Sequence, residues 1–244
     1  MAEKRFQAVV FDMDGLMFDS EPLYYELVDT VLKTYGKRMS PELSHAMMGR
    51  RRMEAIEVLR QWHQLTVSVD SLAAAADALY FSTVGDRLQP MPGLFSLLEY
   101  LEQHNIPRAV ATSSARSYAD HGLARWDLTD FFSFILAGED VSEGKPDPEI
   151  YQLAARRFGI ETEQMLVLED SQTGLQAAKA ARAICIDIPQ EHNRGQDFSM
   201  ADACVETLES PVILEMLQGQ SKSGSSSKPC HFLCPIDNLN AAQS

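Results

Sequence analysis

The sequence predicts an α/β protein: a Rossmann-like three-layer core with a parallel sheet, plus an inserted all-helical domain. Three observations carry this. From about residue 94 onward, short apolar runs alternate with helical periodicity, as a parallel sheet with crossovers requires. Between the first apolar run and residue 87 every periodic segment is helical, and the stretch is too long for an ordinary crossover. The carboxyl ends of the strands, where open α/β sheets bind ligands, gather acids, hydroxyls and a lysine. The expected division is core at 1–17, helical insert at 18–88, core again at 89–218, and a disordered Ser-rich tail at 219–244.

Taken in order, Ala8–Phe11 reads as a short buried strand, followed at once by Asp12, Asp14 and a turn at Gly15. Residues 22–35 place Leu23, Leu27, Val31 and Leu32 at helical spacing, with Ser20 expected to cap that helix. Ser40-Pro41-Glu42 starts a second helix that ends near Gly49. Arg50, Arg51 and Arg52 follow, then a helix through Met53, Ile56, Leu59 and Trp62, and another from Asp70 to about Thr83. Pro90 and Pro92-Gly93 mark the return to the core, and Leu94, Leu97, Leu98 and Leu101 share one helix face. The remaining strands are expected at Arg108–Ala111, 134–137, 165–168 and 183–188, with a weaker one at 203–205. Helices are expected between and after them at 117–126, 148–158, 174–181 and 208–217. Beyond Gly219, Ser and Gly dominate; Cys230, His231 and Cys234 there are read as a coincidence rather than a metal site.

At 244 residues, 45% hydrophobic and 23% charged, the chain has the make-up of an ordinary globular protein. Its net charge of −14 argues against general nucleic-acid binding and against attachment to anionic lipid. An anionic substrate would therefore need a local cationic site built against the global field. There is no apolar run near the roughly 18 residues of a membrane span, and no signal-peptide pattern. The four cysteines form no disulfide framework, so a reducing cytoplasm is the expected location. A monomer is the expected state.

Every expected strand except the last two ends in chemically useful residues. The first delivers Asp12 and Asp14, the second Thr112-Ser113-Ser114 at a new helix N-terminus. The third leads to Lys145 in a Gly/Pro-bounded loop, and the fourth to Glu169-Asp170-Ser171. This is the equipment of phosphoryl transfer to a carboxylate. Asp12 can be the nucleophile, and a divalent cation held by Asp12 and Asp170 would shield it from the anionic phosphate. Lys145 and the Thr112 hydroxyl would take up charge on the transferring oxygens. Magnesium suits such hard oxygen ligands. Asp14 is then placed to protonate the leaving alcohol and to deprotonate the attacking water.

The ordered set Asp12-Met13-Asp14-Gly15, Thr112, Lys145 and Glu169-Asp170 resembles the four motifs of the haloacid dehalogenase superfamily. The phrases FDMDGLMFDSEPL, VATSS, GKPDPEIY and LEDSQTG are especially similar to the branch with a helical cap after the first strand. That branch holds β-phosphoglucomutases and small sugar-phosphate and nucleotide-type phosphatases. The resemblance spans residues 5–217. It implies a metal set of Asp12, Asp14, Glu169 and Asp170, with Glu169 either touching the ion or supporting it from outside. It implies phosphate binding by Thr112, Ser113 and Lys145, and by the amides of Met13, Asp14 and Ser113. It places Arg52 where relatives hold a second anionic group or a polar part of the substrate, and Gly49 as a cap hinge. Arg50 and Arg51 are read as a solvated basic turn. The mutases resembled usually carry a histidine after the first motif and a lysine late in the cap. Here Tyr24 and Tyr25 stand near the first position, and no lysine occurs between Arg38 and Arg108. Hydrolysis of a small phosphate monoester is therefore expected ahead of mutase chemistry, and both ahead of a non-catalytic interaction protein.

Overall fold

The computed structural model describes residues 6–219 apart from Gly49 and Arg194, so the expectations for the 220–244 tail and for a hinge at Gly49 lie outside the described residues. Six parallel strands form one sheet: β1 (Ala8–Phe11), β2 (Arg108–Ala111), β3 (Ile135–Leu136), β4 (Met165–Glu169), β5 (Ile184–Asp187) and β6 (Ala203–Cys204). Their order is β3-β2-β1-β4-β5-β6, with Val10 opposite Ala109 on one side and Val167 on the other. The first strand thus lies in the middle of the sheet.

Successive side chains of a strand point to opposite faces, and both faces here are covered. Helices α5 (Leu94–Gln103), α6 (Arg116–Arg125) and α9 (Pro211–Leu217) pack on Val9, Phe11, Leu166, Leu168 and Ile186; α7 (Glu149–Phe158) and α8 (Gln172–Ala180) pack on Val10, Val167 and Cys185. Every residue of β1 is fully buried, which explains the unbroken apolar run. Burial of Val9, Val10 and Phe11 contributes about 1.5–3 kcal/mol per side chain.

Between β1 and β2 the chain inserts α1 (Glu21–Lys33), α2 (Pro41–Met47), α3 (Arg52–Trp62) and α4 (Val69–Leu79). These have an apolar centre of their own, including Leu32, Leu43, Ile56, Leu59 and Leu72. Ser40 caps α2 as expected, its Oγ accepting from the Leu43 amide at 3.2 Å. Ser20 does not behave as expected. It occupies the N-cap position of α1, but its hydroxyl is buried and makes no capping bond. Helix α4 also departs from expectation, passing at Tyr80–Val84 into a π-helical turn. That turn lets Tyr80 stack on Tyr118 of α6, ring centroids 3.9 Å apart.

The two connections to the insert run side by side. The Asp19 amide donates to the Gln89 carbonyl at 2.9 Å and the Met91 amide to the Met17 carbonyl at 2.8 Å, around an antiparallel bridge between Phe18 and Pro90. Among the described residues, no helix is long and apolar enough to cross a membrane.

Candidate active site

The carboxyl edge of the sheet brings the predicted residues together. Asp12 leaves β1 with its amide bonded to the Leu168 carbonyl of β4 at 3.0 Å, which sets it beside Glu169 and Asp170. Gly15 turns the chain with φ of +80°, and a Cβ there would lie 2.2 Å from Asp170 Oδ2. Only glycine permits both the left-handed backbone and that approach.

Lys145, in the loop before α7, is buried and spends its three donors within the site. Its Nζ donates to Asp12 Oδ1 at 2.6 Å, to Glu169 Oε1 at 2.6 Å and to the Ala111 carbonyl at 3.0 Å. Burial alone would lower the Lys145 pKa, but Asp12 and Glu169 outweigh it and the value is raised. Glu169 is fully buried and saturated. Besides Lys145, the Tyr151 hydroxyl donates to its Oε1, and the Ser171 hydroxyl to its Oε2 at 3.2 Å. Its carboxylate lies against Gly174, where a Cβ would come within 2.1 Å of three of its atoms.

Burial pushes the carboxyls of Asp12 and Asp170 well up, with Glu169 adding to both and Lys145 opposing. Four acids, Asp12, Asp14, Glu169 and Asp170, face one lysine in low dielectric. The imbalance calls for a cation. Ligand oxygens of Asp12, Glu169 and Asp170 lie within 4.8 Å of one another, an all-oxygen donor set that fits a hard divalent ion. The Asp14 carboxylate does not join this group: its Oδ2 accepts from Ser114 Oγ at 2.7 Å and from Thr112 Oγ1 at 3.2 Å. Ser113, between them, lines the same cavity.

Above this edge, under the inserted helices, lies a cavity of about 210 Å³. Asp12, Asp14, Thr112, Lys145 and Asp170 form its floor, and Tyr24, Val28, Met47, Ile56 and Ala76 much of its apolar wall. Arg52, the first residue of α3, reaches this wall, but its Nη2 is already bound to Asp77 Oδ1 at 2.5 Å and to the Ala73 carbonyl at 2.8 Å. Arg50 is exposed, as expected of a solvated turn. Arg51 is not: it crosses to the core, donating to the carbonyls of Val141 at 3.3 Å and Ser142 at 2.6 Å. Its stem lies where a Cβ on Gly144 would be, 2.7 Å away.

The expectation that the last two strands end without useful residues is corrected as well. β5 ends in the buried Asp187, level with Glu169, and the following turn carries His192 and Asn193 into the site. Asn193 Nδ2 donates to the Asp170 carbonyl at 2.6 Å and to its Oδ2 at 2.9 Å, while His192 Nε2 stands 3.4 Å from that oxygen. Burial pushes Glu21 of the insert up to about 7, His192 opposing. Asn193 and His192 sit more than twenty residues past the fourth motif. The available signal was their place just beyond the carboxyl end of an expected strand.

Fold and site together define a Rossmann-like α/β protein whose acidic sheet edge is covered by a helical insert. The family of haloacid dehalogenase-like hydrolases matches residues 9–188, and the chain belongs to it. It is a phosphatase-type enzyme of that family. A phosphorylated carbohydrates phosphatase of Thermotoga maritima is 35% identical over 72% of this chain and 81% of its own length. (DL)-glycerol-3-phosphatase 2 of Arabidopsis thaliana is 30% identical over 82% of this chain and 86% of its own length. Among solved structures, CbbY of Rhodobacter sphaeroides in complex with phosphate superposes with a TM-score of 0.73 at 26% identity, covering 83% of this chain and 95% of that protein.

Proposed function

We propose that the enzyme hydrolyses a small phosphate monoester, of a sugar, polyol or nucleoside, through an aspartyl-phosphate on Asp12. The observation that carries this reading is the pairing on the cavity floor of two differently held acids. Asp12 is fixed by Lys145 at 2.6 Å, and Asp14 by the hydroxyls of Ser114 and Thr112. An Asp12 oxygen attacks phosphorus and the ester P–O bond breaks, with Asp14 giving its proton to the departing alcohol oxygen. Water then attacks the same phosphorus, returns a proton to Asp14, and frees the Asp12 carboxylate as inorganic phosphate leaves. Lys145, Thr112 and the 113–114 turn steady the charge on the phosphoryl oxygens. Asp12 and Asp170 would hold Mg²⁺, with Glu169 in support, and the ion would offset repulsion between the phosphate and the acids.

The names of the similar proteins, a carbohydrate phosphatase and a glycerol-3-phosphatase, support the substrate range. In this reading residues 18–88 form a cap that chooses the leaving group, and Arg52 faces its polar part. A mutase must retain and turn a bisphosphorylated intermediate, and among the described residues the only lysine lining the cavity is Lys145, on its floor. The enzyme is read as a cytoplasmic monomer.

The test is a panel of phosphate monoesters with and without Mg²⁺, on the wild type and Asp12→Asn. Phosphate release should need the metal and vanish in the variant; release persisting in Asp12→Asn overturns the covalent mechanism. Isomerisation of β-glucose 1-phosphate faster than phosphate release would select the mutase instead.

A further inference from the structure

We propose that Asp77 biases which leaving groups the enzyme accepts: by occupying Arg52, it disfavours monoesters whose leaving group carries a negative charge. The inference rests on the hydrolytic reading above and narrows its substrate class.

Among the described residues, the arginines and lysines lining the cavity are Arg50, Arg52 and Lys145. Lys145 is committed on the floor to Asp12 and Glu169. Arg50 is exposed, and its Nε is turned back on the preceding helix α2, donating to the Ala46 carbonyl at 2.8 Å. Arg52 is thus the cation on the leaving-group wall that could receive a carboxylate or a second phosphate. Its charge is already answered by Asp77 Oδ1 at 2.5 Å. The guanidinium carbon lies 5.6 Å from the centroid of the Tyr118 ring.

Asp77 is itself held from the far side. The Tyr118 hydroxyl, from the core helix α6, donates to the same Oδ1 at 2.9 Å. An incoming anion would have to share Arg52 with Asp77, through Nη1 or Nε, and would then lie beside that carboxylate. Like-charge juxtaposition of this kind is a strong device against the wrong partner. A hydroxylated or heteroaromatic leaving group meets no such conflict. Its polar edge can bond to the Arg52–Asp77 pair as it stands, and its apolar face fits against Tyr24, Val28, Met47 and Ile56.

The experiment compares two esters, glycerol 3-phosphate with a neutral leaving group and 2-phosphoglycolate with a carboxylate in it, at fixed Mg²⁺. The variant is Asp77→Asn, whose side-chain oxygen still accepts from Tyr118. Relative to the wild type, it should shift the ratio of kcat/KM toward phosphoglycolate by roughly fivefold, the scale of one partly exposed ion pair. The shift should appear in KM and disappear again when Arg52→Gln is added. The same ratio is read without turnover, as dissociation constants by calorimetry in an Asp12→Asn background with and without Asp77→Asn. An unchanged ratio in both measurements overturns the proposal, as does a wild type that prefers phosphoglycolate. If neither ester is hydrolysed, the dissociation constants decide alone: a ratio that moves upholds the role of Asp77 and one that does not overturns it, while the hydrolytic reading is judged by the monoester panel. Thermal unfolding of each variant confirms that the fold is kept; should Asp77→Asn unfold, Asp77→Ser removes the charge with less bulk and carries the same test.

Discussion

The sheet edge and the helical insert hold their charges in opposite ways. At the edge, Lys145, Glu169 and Asp170 are buried, and their partners come from distant parts of the chain. In the insert, ion pairs such as Arg60–Glu57 join residues one turn apart, each side chain about a third exposed. Exposed pairs at helical spacing contribute little and can be exchanged. Buried, mutually dependent charges cannot be removed one at a time. The edge is therefore rigid in composition. The insert can vary wherever it does not touch the core.

The sharpest contrast comes from Asp12→Asn, which should cut turnover by on the order of 10⁴-fold with the fold intact, measured as phosphate release per site. Next, Lys145→Met leaves Asp12 and Glu169 buried beside each other without a cation. It should lower unfolding free energy by about 3–5 kcal/mol in denaturant titrations as well as abolish activity. Gly174→Ala places a methyl where the Glu169 carboxylate lies, and should cost about 1–3 kcal/mol by the same titration. If Gly174→Ala is neutral, the edge is less tightly determined than its packing indicates.

Changes in the insert should be gentler. Arg51→Ala removes a bond from the insert to the Ser142 carbonyl, and steady-state kinetics should show KM up roughly threefold with kcat little changed. Asp29 tests the insert alone. Its carboxyl is held well below the usual range by Arg38, then Lys33 and the Met39 amide. Because the folded-state value is depressed, the stabilisation is present at neutral pH and lost as pH falls through the carboxylate range toward that value. The difference in Tm between wild type and Asp29→Asn should thus be widest near neutrality and narrow progressively as pH falls below the ordinary carboxylate range.

The same contrast governs what could be read from the amino-acid order. Asp12, Asp14, Thr112, Glu169 and Asp170 were legible because each ends a strand or follows closely on one, and Lys145 because its Gly/Pro-bounded loop leads into a helix start, so local pattern places them at the edge. The alternation of strands and helices was legible for the same reason, and errors fell at element ends: β3 shortens to Ile135–Leu136, and α9 begins at Pro211 rather than 208. Local pattern could not show that Arg51 crosses to the core or that Arg52 is paired with Asp77, twenty-five residues away. Asn193 escaped for a related reason: it reaches Asp170 from a turn with no periodic signal. Ser20 had the residue type of a cap without the geometry, because it lies in the buried connection between the two regions.

That connection has an architectural consequence. Where the chain leaves the core at Met17 and where it re-enters at Met91, the two backbones are hydrogen-bond neighbours at 2.8 Å. A segment whose ends meet can be excised or replaced with almost no change in the span left to close. The four helices are in effect a cassette plugged into the middle of the sheet through a two-strand socket. Recombination that swaps the cassette would leave the strand ends that carry the catalytic floor in place and would have to rebuild only its contacts with the core, such as Arg51 with Ser142.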